Sequence, residues 1–220
     1  MENMYNVAVK VLKMLGVTDM EIVISNQFAC QYGYMKHCSY KLLLPENEVD
    51  ALYNAYLTLE LIEELYGIKI ESDFGALVFC MAHEIGHYMK ISKHKSNLER
   101  LGYILAGLKC TEAINIESDK IEELQAQYDK EYKEYKTESD NTHKLIKESI
   151  ASGKMGILSE CNKRLEAESK RREELNNIRK EIEQRKHDND IAYRLMPNEV
   201  FADKFAIEFI EANFPELIVG

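Results

Sequence analysis

The amino-acid sequence predicts an α+β fold, in which a long antiparallel helical hairpin interrupts a small, mainly helical core with a short sheet. Three observations support this prediction. Apolar residues recur at helical spacing near both ends of the chain. Short β-branched runs lie between the first helical segments. The stretch from about 112 to 190 is dense in charges of both signs and has no proline, so we expect the core at 1–110 and 191–220 and an inserted coiled-coil hairpin at 111–190.

Strands are expected between the first two helices. The run Glu21–Ser25 has three consecutive β-branched residues and predicts one strand. Between Phe28 and Leu44, aromatic and apolar residues predict one or two more, with Ser39–Leu44 the better candidate because Pro45 follows it. These short runs predict a small sheet at one side of the helical core.

Helices of the core follow from apolar positions that repeat every three or four residues. Gly16 and Gly67 are placed to end two of them, since glycine at a helix C-terminus adopts the left-handed conformation easily. The predicted helices span 3–16, 47–65, 73–91, a shorter 98–108 and, after the charged stretch, 195–214.

The charged stretch predicts two long helices. Its apolar residues, such as Ile121, Leu124 and Tyr128, keep helical spacing, stop at the glycines of 152–156 and then resume. Two arms of about 35 residues would each reach about 50 Å at the rise of an α-helix. We therefore expect an antiparallel hairpin that folds back at 152–156.

Composition limits the classes of function. The net charge of −10 repels phosphate, so nucleic acid is an unfavourable main partner. The five cysteines are odd in number and form no CxxC, which favours a reducing cytoplasm over a disulfide framework. No apolar run approaches the ~18 residues of a membrane span, and the N-terminal segment has an amphipathic rather than a signal-peptide pattern.

The chemistry-bearing motif is His83-Glu84-Ile85-Gly86-His87, an HExxH sequence inside a predicted helix. Residues four apart lie on one helical face, so His83 and His87 can bind a single metal ion. Glu84 follows the first ligand and is the candidate base that deprotonates a zinc-activated water. Two solvated histidines on a polar face would give the same five letters, so the motif needs a third ligand.

Glu199 is the candidate third ligand, because it stands four residues before Asp203 on one face of the last predicted helix. Glu199 would bind zinc, which a His₂Glu set favours among divalent ions, and Asp203 would accept the N–H of a ligand histidine. The alternative is a pair of ordinary solvated acids. Tyr193 is a candidate donor to the oxyanion of the transition state, although a packing tyrosine has the same appearance.

The HEIGHY sequence from His83, followed by E-x-x-A-D-x-F-A from Glu199, resembles the ImmA/IrrE family of metallopeptidases. The resemblance implies a zincin core of helix, strand and helix, with one zinc ion held by His83, His87 and Glu199. It also implies an edge strand, here Ser39–Leu44, that aligns an extended substrate peptide. The expected substrate is a specific intracellular protein such as a transcriptional repressor. The alternative function is a protein-binding module in which the hairpin docks a partner and the zinc core is a scaffold.

Overall fold

The computed structural model describes residues 4–31, 40–93, 97–152 and 158–219. These residues are mostly helical and include two short sheets, so the predicted α+β class is confirmed at this coarse level. The chain divides into two compact units, Met1–Thr111 with Tyr193–Gly220 and Glu112–Ala192. Within the described ranges, no helix combines the length and the apolar character that crossing a membrane requires.

Four helices make up most of the first unit. Helix α2 (Glu48–Tyr66) begins after Asn47, whose side chain accepts a hydrogen bond of 3.0 Å from the Val49 N–H, and ends at Gly67 with φ of 69°. Helix α3 (Asp73–Ser92) begins after Ser72, whose hydroxyl accepts a hydrogen bond from the Gly75 N–H at 3.0 Å. The four are α1 (Met4–Met14), α2 (Glu48–Tyr66), α3 (Asp73–Ser92) and α6 (Pro197–Asn213).

The first sheet contains β1 (Met20–Ser25), β2 (Ala29–Gln31) and β3 (Tyr40–Pro45) in the order β1-β3-β2. Strand β1 runs parallel to β3, and β2 runs antiparallel to it. The prediction that Ser39–Leu44 forms an edge strand is therefore wrong for its described part, because β3 is hydrogen-bonded along both sides. Ser39 itself lies outside the described residues.

A second, two-stranded sheet joins β4 (Lys69–Ile70) to β5 (Ile218–Val219), and the sequence did not predict it. Both sheets adjoin the core around α3, which is buried on almost every face from Gly75 to Ile85. The core also takes Val7 and Val11 from α1, Leu42 and Leu44 from β3, and Ile210 from α6. Packing on all sides fixes the position of α3, the helix that carries the HExxH motif.

Two long helices leave this unit, α4 (Asn97–Ala151) and α5 (Leu158–Arg194). The predicted separate helix at 98–108 is wrong, since α4 continues through that point without a break. Residues 109–111 hold no helix-breaking residue, and the Thr111 hydroxyl donates to the carbonyls of Gly107 and Leu108 at 3.2 and 2.8 Å. Gly107 therefore lies within α4 and does not end it.

In the second unit, α4 and α5 lie side by side and run in opposite directions. Asn189 donates to Ser118 at 2.9 Å near one end, and Arg171 donates to Glu138 at 2.6 Å nearer the other. Apolar side chains between them are buried, among them Ile121, Leu175 and Ile182. Residues 153–157, where most of the predicted turn lies, are outside the described ranges.

Candidate metal centre

His83 and His87 lie one helical turn apart on α3, and their Nε2 atoms are 3.2 Å from each other. The two rings meet edge to face, with centroids 4.8 Å apart, and the His83 ring stacks on Phe79 from the preceding turn. His83 is buried, whereas His87 is partly exposed. The i, i+4 spacing thus directs two imidazole nitrogens at one point, with an opening on the side of His87.

Helix α6 adds Glu199 from its first turn. Its Oε2 atom lies 3.2 Å from His83 Nε2, and its Oε1 atom lies 3.5 Å from His87 Nε2. The carboxylate is buried, with 3% of its surface exposed. Glu199, more than one hundred residues after His87 in sequence, therefore converges with the two histidines on one point.

The donor atoms fit a tetrahedral metal ion. Bonds of 2.0–2.1 Å at tetrahedral angles place neighbouring donors about 3.3 Å apart, close to the distances observed here. Two imidazole nitrogens and a carboxylate that face one another repel through their lone pairs unless a proton or a metal cation lies between them. Within the described residues His83, His87 and Glu199 form a group that could hold a metal ion.

Close packing of α3 against α6 makes this convergence possible, and Gly86 permits it. A Cβ atom at Gly86 would lie 3.1 Å from Ala202 Cα and 3.1 Å from Phe205 Cδ1. Any side chain there would push the two helices apart. The glycine in HEIGH thus brings Glu199 within reach of both histidines.

Asp203 lies one turn after Glu199 and is fully buried. Its Oδ1 atom is 2.8 Å from His83 Nδ1, an ion-pair contact in which the ring nitrogen makes no well-aligned hydrogen bond. Burial alone would lower the pKa of His83, but the carboxylates of Asp203 and Glu199 outweigh burial and raise it to about 9 in the metal-free chain. Burial opposes ionisation of Glu199 as well, yet the two histidines hold its pKa below the ordinary value.

Arg194, at the end of α5, was missed by sequence reasoning. Its guanidinium donates to Asp203 Oδ1 and to the Thr58 hydroxyl, at 3.0 Å in both cases, and lies 3.9 Å from Glu199 Oε2. One partly buried cation thus compensates two buried carboxylates. In the sequence Arg194 is noticeable only as the neighbour of Tyr193. No local pattern indicates its contact with Thr58, because Thr58 is distant along the chain.

Glu84 is half-buried and lines a cavity of about 230 Å³ together with His83, Arg194, Phe28 and Cys80. Burial raises the pKa of the Cys80 thiol to about 12, so this cysteine stays protonated. The cavity gives Glu84 access to a molecule bound beside His83.

Tyr193 lies beside Glu199, and the two residues line one cavity. Although 37% of its surface is exposed, desolvation of the phenol and the negative charge of Glu199 raise the pKa of Tyr193 above its ordinary value. The phenol therefore keeps its proton at neutral pH and remains a hydrogen-bond donor. Together with the three donors, Asp203 and Glu84, it completes the set of residues that the sequence singled out. Comparisons of the chain with models of protein families, with curated proteins and with solved structures found no match.

Proposed function

We propose that this chain is a zinc-dependent metallopeptidase that hydrolyses peptide bonds of a specific intracellular protein. The observation that carries the proposal is the convergence of His83, His87 and Glu199 at tetrahedral donor spacing, with Glu84 directly after the first ligand. A set of two histidines and one glutamate leaves a fourth position open for water or substrate, as catalytic zinc sites do. A purely structural zinc site would be closed by a fourth protein ligand.

Zinc bound there would supply a Lewis acid that lowers the pKa of water to near neutrality and polarises the scissile carbonyl. His83, His87 and Glu199 would hold the ion. Asp203 orients the His83 ring through Nδ1, and Arg194 holds Asp203 in place and offsets its charge. This arrangement keeps the His83 Nε2 lone pair directed at the ion.

Glu84 is the proposed general base. It accepts a proton from the attacking water and then passes that proton to the amine that leaves. Its place beside the cavity with His83 gives it access to such a water. Tyr193 is the proposed donor to the oxyanion that develops on the carbonyl, since its phenol stays protonated.

The substrate peptide is proposed to pair with β2, which replaces β3 as the edge strand. Among the described residues β2 has a partner on one side only, so its other side can accept an extended peptide. Asn26, Gln27 and Phe28, just before β2, line the same cavity as His83 and Glu84. A peptide along β2 would therefore pass close to the candidate base.

The motifs at His83 and Glu199 also support membership of the ImmA/IrrE-like peptidases, with a zincin core and a coiled-coil hairpin inserted between the two motifs. A transcriptional repressor in the cytoplasm is the substrate that this membership favours. The hairpin would then dock the substrate or a regulator through its exposed faces.

Comparing the wild type with Glu84→Gln tests the reaction. Both full-length proteins are loaded with zinc, incubated with a peptide library from a digested proteome and analysed for new termini by mass spectrometry. We expect cleavage by the wild type and loss of cleavage, with zinc retained, in the variant. Equal cleavage by Glu84→Gln would rule out the proposed base.

A second candidate function is protein binding through the second unit. Its helices expose large apolar side chains, including Ile116 at 51%, Tyr132 at 47% and Ile150 at 69%. A partner could cover such side chains by docking against the faces of these helices. A zinc-loaded chain that captures a protein partner but cleaves no peptide in the library would favour this function.

A further inference from the structure

A second cavity lies beside Glu199, and we propose that it binds a large apolar side chain of the substrate, next to the scissile bond. The proposal rests on the peptidase function proposed above and names the kind of residue at which that peptidase would cleave. The cavity is defined by Tyr103, Ala106 and Leu108 of α4, by Met196, and by Tyr193 and Glu199. We refer to it as the Glu199 cavity.

The position of the Glu199 cavity connects it to the chemistry. Glu199 is one of the three candidate ligands and lines this cavity together with Tyr193, so the cavity adjoins the metal centre. A peptide whose carbonyl is polarised at the metal would have a neighbouring side chain within reach of this space. The cavity containing Glu84 lies against His83 instead, so the ligand set is flanked by two different cavities.

The lining of the Glu199 cavity favours an apolar occupant. Tyr103, Ala106 and Met196 present mainly carbon surface, and Leu108 is 61% exposed although it is a large apolar residue. Covering such a side chain with another apolar group contributes free energy in proportion to the area removed from water. A ligand in the cavity would supply that cover.

Lys90 also lines the cavity, but its charge is already engaged. Its Nζ atom donates to the Pro197 carbonyl at 3.2 Å and lies 4.7 Å from the Phe201 ring centroid and 5.2 Å from that of Tyr103. Because Lys90 already has these partners, it offers little further attraction to an acidic ligand. The carbon-rich lining therefore makes an apolar side chain a better occupant than an acidic one.

The size of the cavity sets the size of the occupant. Its volume of about 450 Å³ lies within the range of roughly 300–1,000 Å³ that is usual for ligand pockets. A small side chain such as alanine would leave most of this space to water. We therefore expect leucine, methionine or phenylalanine at the corresponding substrate position.

Gly107 allows the cavity to be filled without disturbing the ligands. It lines the cavity, and a Cβ atom there would meet nothing within 4 Å. Gly107→Leu should therefore fold normally and occupy the space. Gly102→Leu is the matched control, since Gly102 is on the same helix, is equally open at Cβ and does not line the cavity.

The test measures binding of hydroxamates to the zinc-loaded full chain by titration calorimetry. Acetohydroxamate binds the metal alone, and analogues add an isobutyl, benzyl or carboxyethyl group on the neighbouring carbon. We expect the benzyl compound to bind at least about tenfold more tightly than acetohydroxamate, in line with the burial of an apolar group. Gly107→Leu should abolish this gain, and Gly102→Leu should keep it.

The outcomes separate this proposal from the one on which it rests. Equal affinities for all compounds, tightest binding of the carboxyethyl compound, or an undiminished gain in Gly107→Leu would overturn the apolar cavity while leaving the metal centre intact. A failure of acetohydroxamate to bind would overturn the catalytic metal centre itself, and the cavity proposal with it. Zinc content, measured for each variant, shows that the ligand set is unchanged.

Discussion

Most of the contacts within the candidate metal centre involve His83. Its Nε2 atom faces His87 and Glu199, and its Nδ1 atom faces Asp203, which Arg194 in turn holds at 3.0 Å. A ligand histidine held in this way keeps one tautomer and one ring orientation. The chain of contacts predicts that residues outside the donor set also govern metal affinity.

Asp203→Asn should weaken zinc binding by about 10- to 100-fold, the usual effect of losing the partner of a ligand histidine. The amide keeps the shape of the side chain but loses the charge that faces His83 Nδ1 and Arg194. Competition with a chromophoric chelator measures the affinity. Glu208→Gln, an exposed acid on the same helix, is the control and should bind zinc as the wild type does.

The metal-free chain should lose stability as the pH rises from 6.5 to 9. Because folding raises the pKa of His83 from 6.5 to about 9, the folded state binds its proton more tightly than the unfolded state does. This stabilisation is complete below pH 6.5 and disappears as the pH passes the folded pKa, a loss of up to about 3 kcal/mol.

Urea unfolding in the presence of a chelator, at several pH values, measures this effect. His83→Gln removes the titrating group and should flatten the dependence between pH 6.5 and 9. A wild-type free energy of unfolding that stays constant over this interval would show that His83 is not held as the contacts indicate.

Much of the residue-scale arrangement could be predicted from sequence, because i, i+4 spacing places side chains on one helical face. This reasoning found His83 with His87 and Glu199 with Asp203, and the structure brings both pairs together. Arg194 could not be found in this way. Its partners Thr58 and Asp203 lie on two other helices, and no local pattern encodes a contact between them.

At the scale of elements, the approach of α3 to α6 decides whether a metal site exists. Gly86→Ala should weaken zinc binding and lower the free energy of unfolding by about 1–3 kcal/mol, as overpacking does. The added Cβ would lie 3.1 Å from Ala202 Cα, a backbone atom that cannot turn aside. Chemical unfolding and chelator competition measure the two effects.

Gly102→Ala is the matched control for this substitution, since its Cβ meets nothing within 4 Å. Alanine in an exposed helix should raise stability by up to about 1 kcal/mol over glycine. If Gly86→Ala behaved like Gly102→Ala, the close packing of α3 and α6 would not be what positions Glu199.

Sequence periodicity predicted which segments become helices or strands better than it predicted how they are arranged. The pattern of Tyr40–Pro45 identifies a strand, but its central place between β1 and β2 depends on pairing with distant segments. Strands β4 and β5 have two residues each, too few for any alternation to appear. The unbroken course of α4 past Gly107 shows that a glycine lowers helix propensity without ending a helix by itself.

At the scale of the whole molecule, the residues of the metal centre all belong to one unit. The donors, Asp203, Arg194 and Thr58 lie within Met1–Thr111 and Tyr193–Gly220. Replacing residues 121–182 by a short Gly-Ser linker keeps the Ser118–Asn189 hydrogen bond between α4 and α5. We expect the shortened chain to bind zinc with an affinity within a few-fold of the full chain.

Circular dichroism and chelator competition on the shortened chain check this expectation. Its helical content should fall by the amount that the deleted residues account for, while its zinc stoichiometry stays the same. A folded shortened chain that binds no zinc would mean that the second unit is needed to assemble the site.

The central claim is that His83, His87 and Glu199 hold one zinc ion, and metal content tests it most directly. Wild type, Glu199→Ala and Glu208→Gln are purified without chelators and analysed by mass spectrometry for all transition metals. We predict close to one zinc per chain in the wild type and in Glu208→Gln, and a clear loss in Glu199→Ala. A wild type that contains no zinc, and takes up none when zinc is added, would contradict the account.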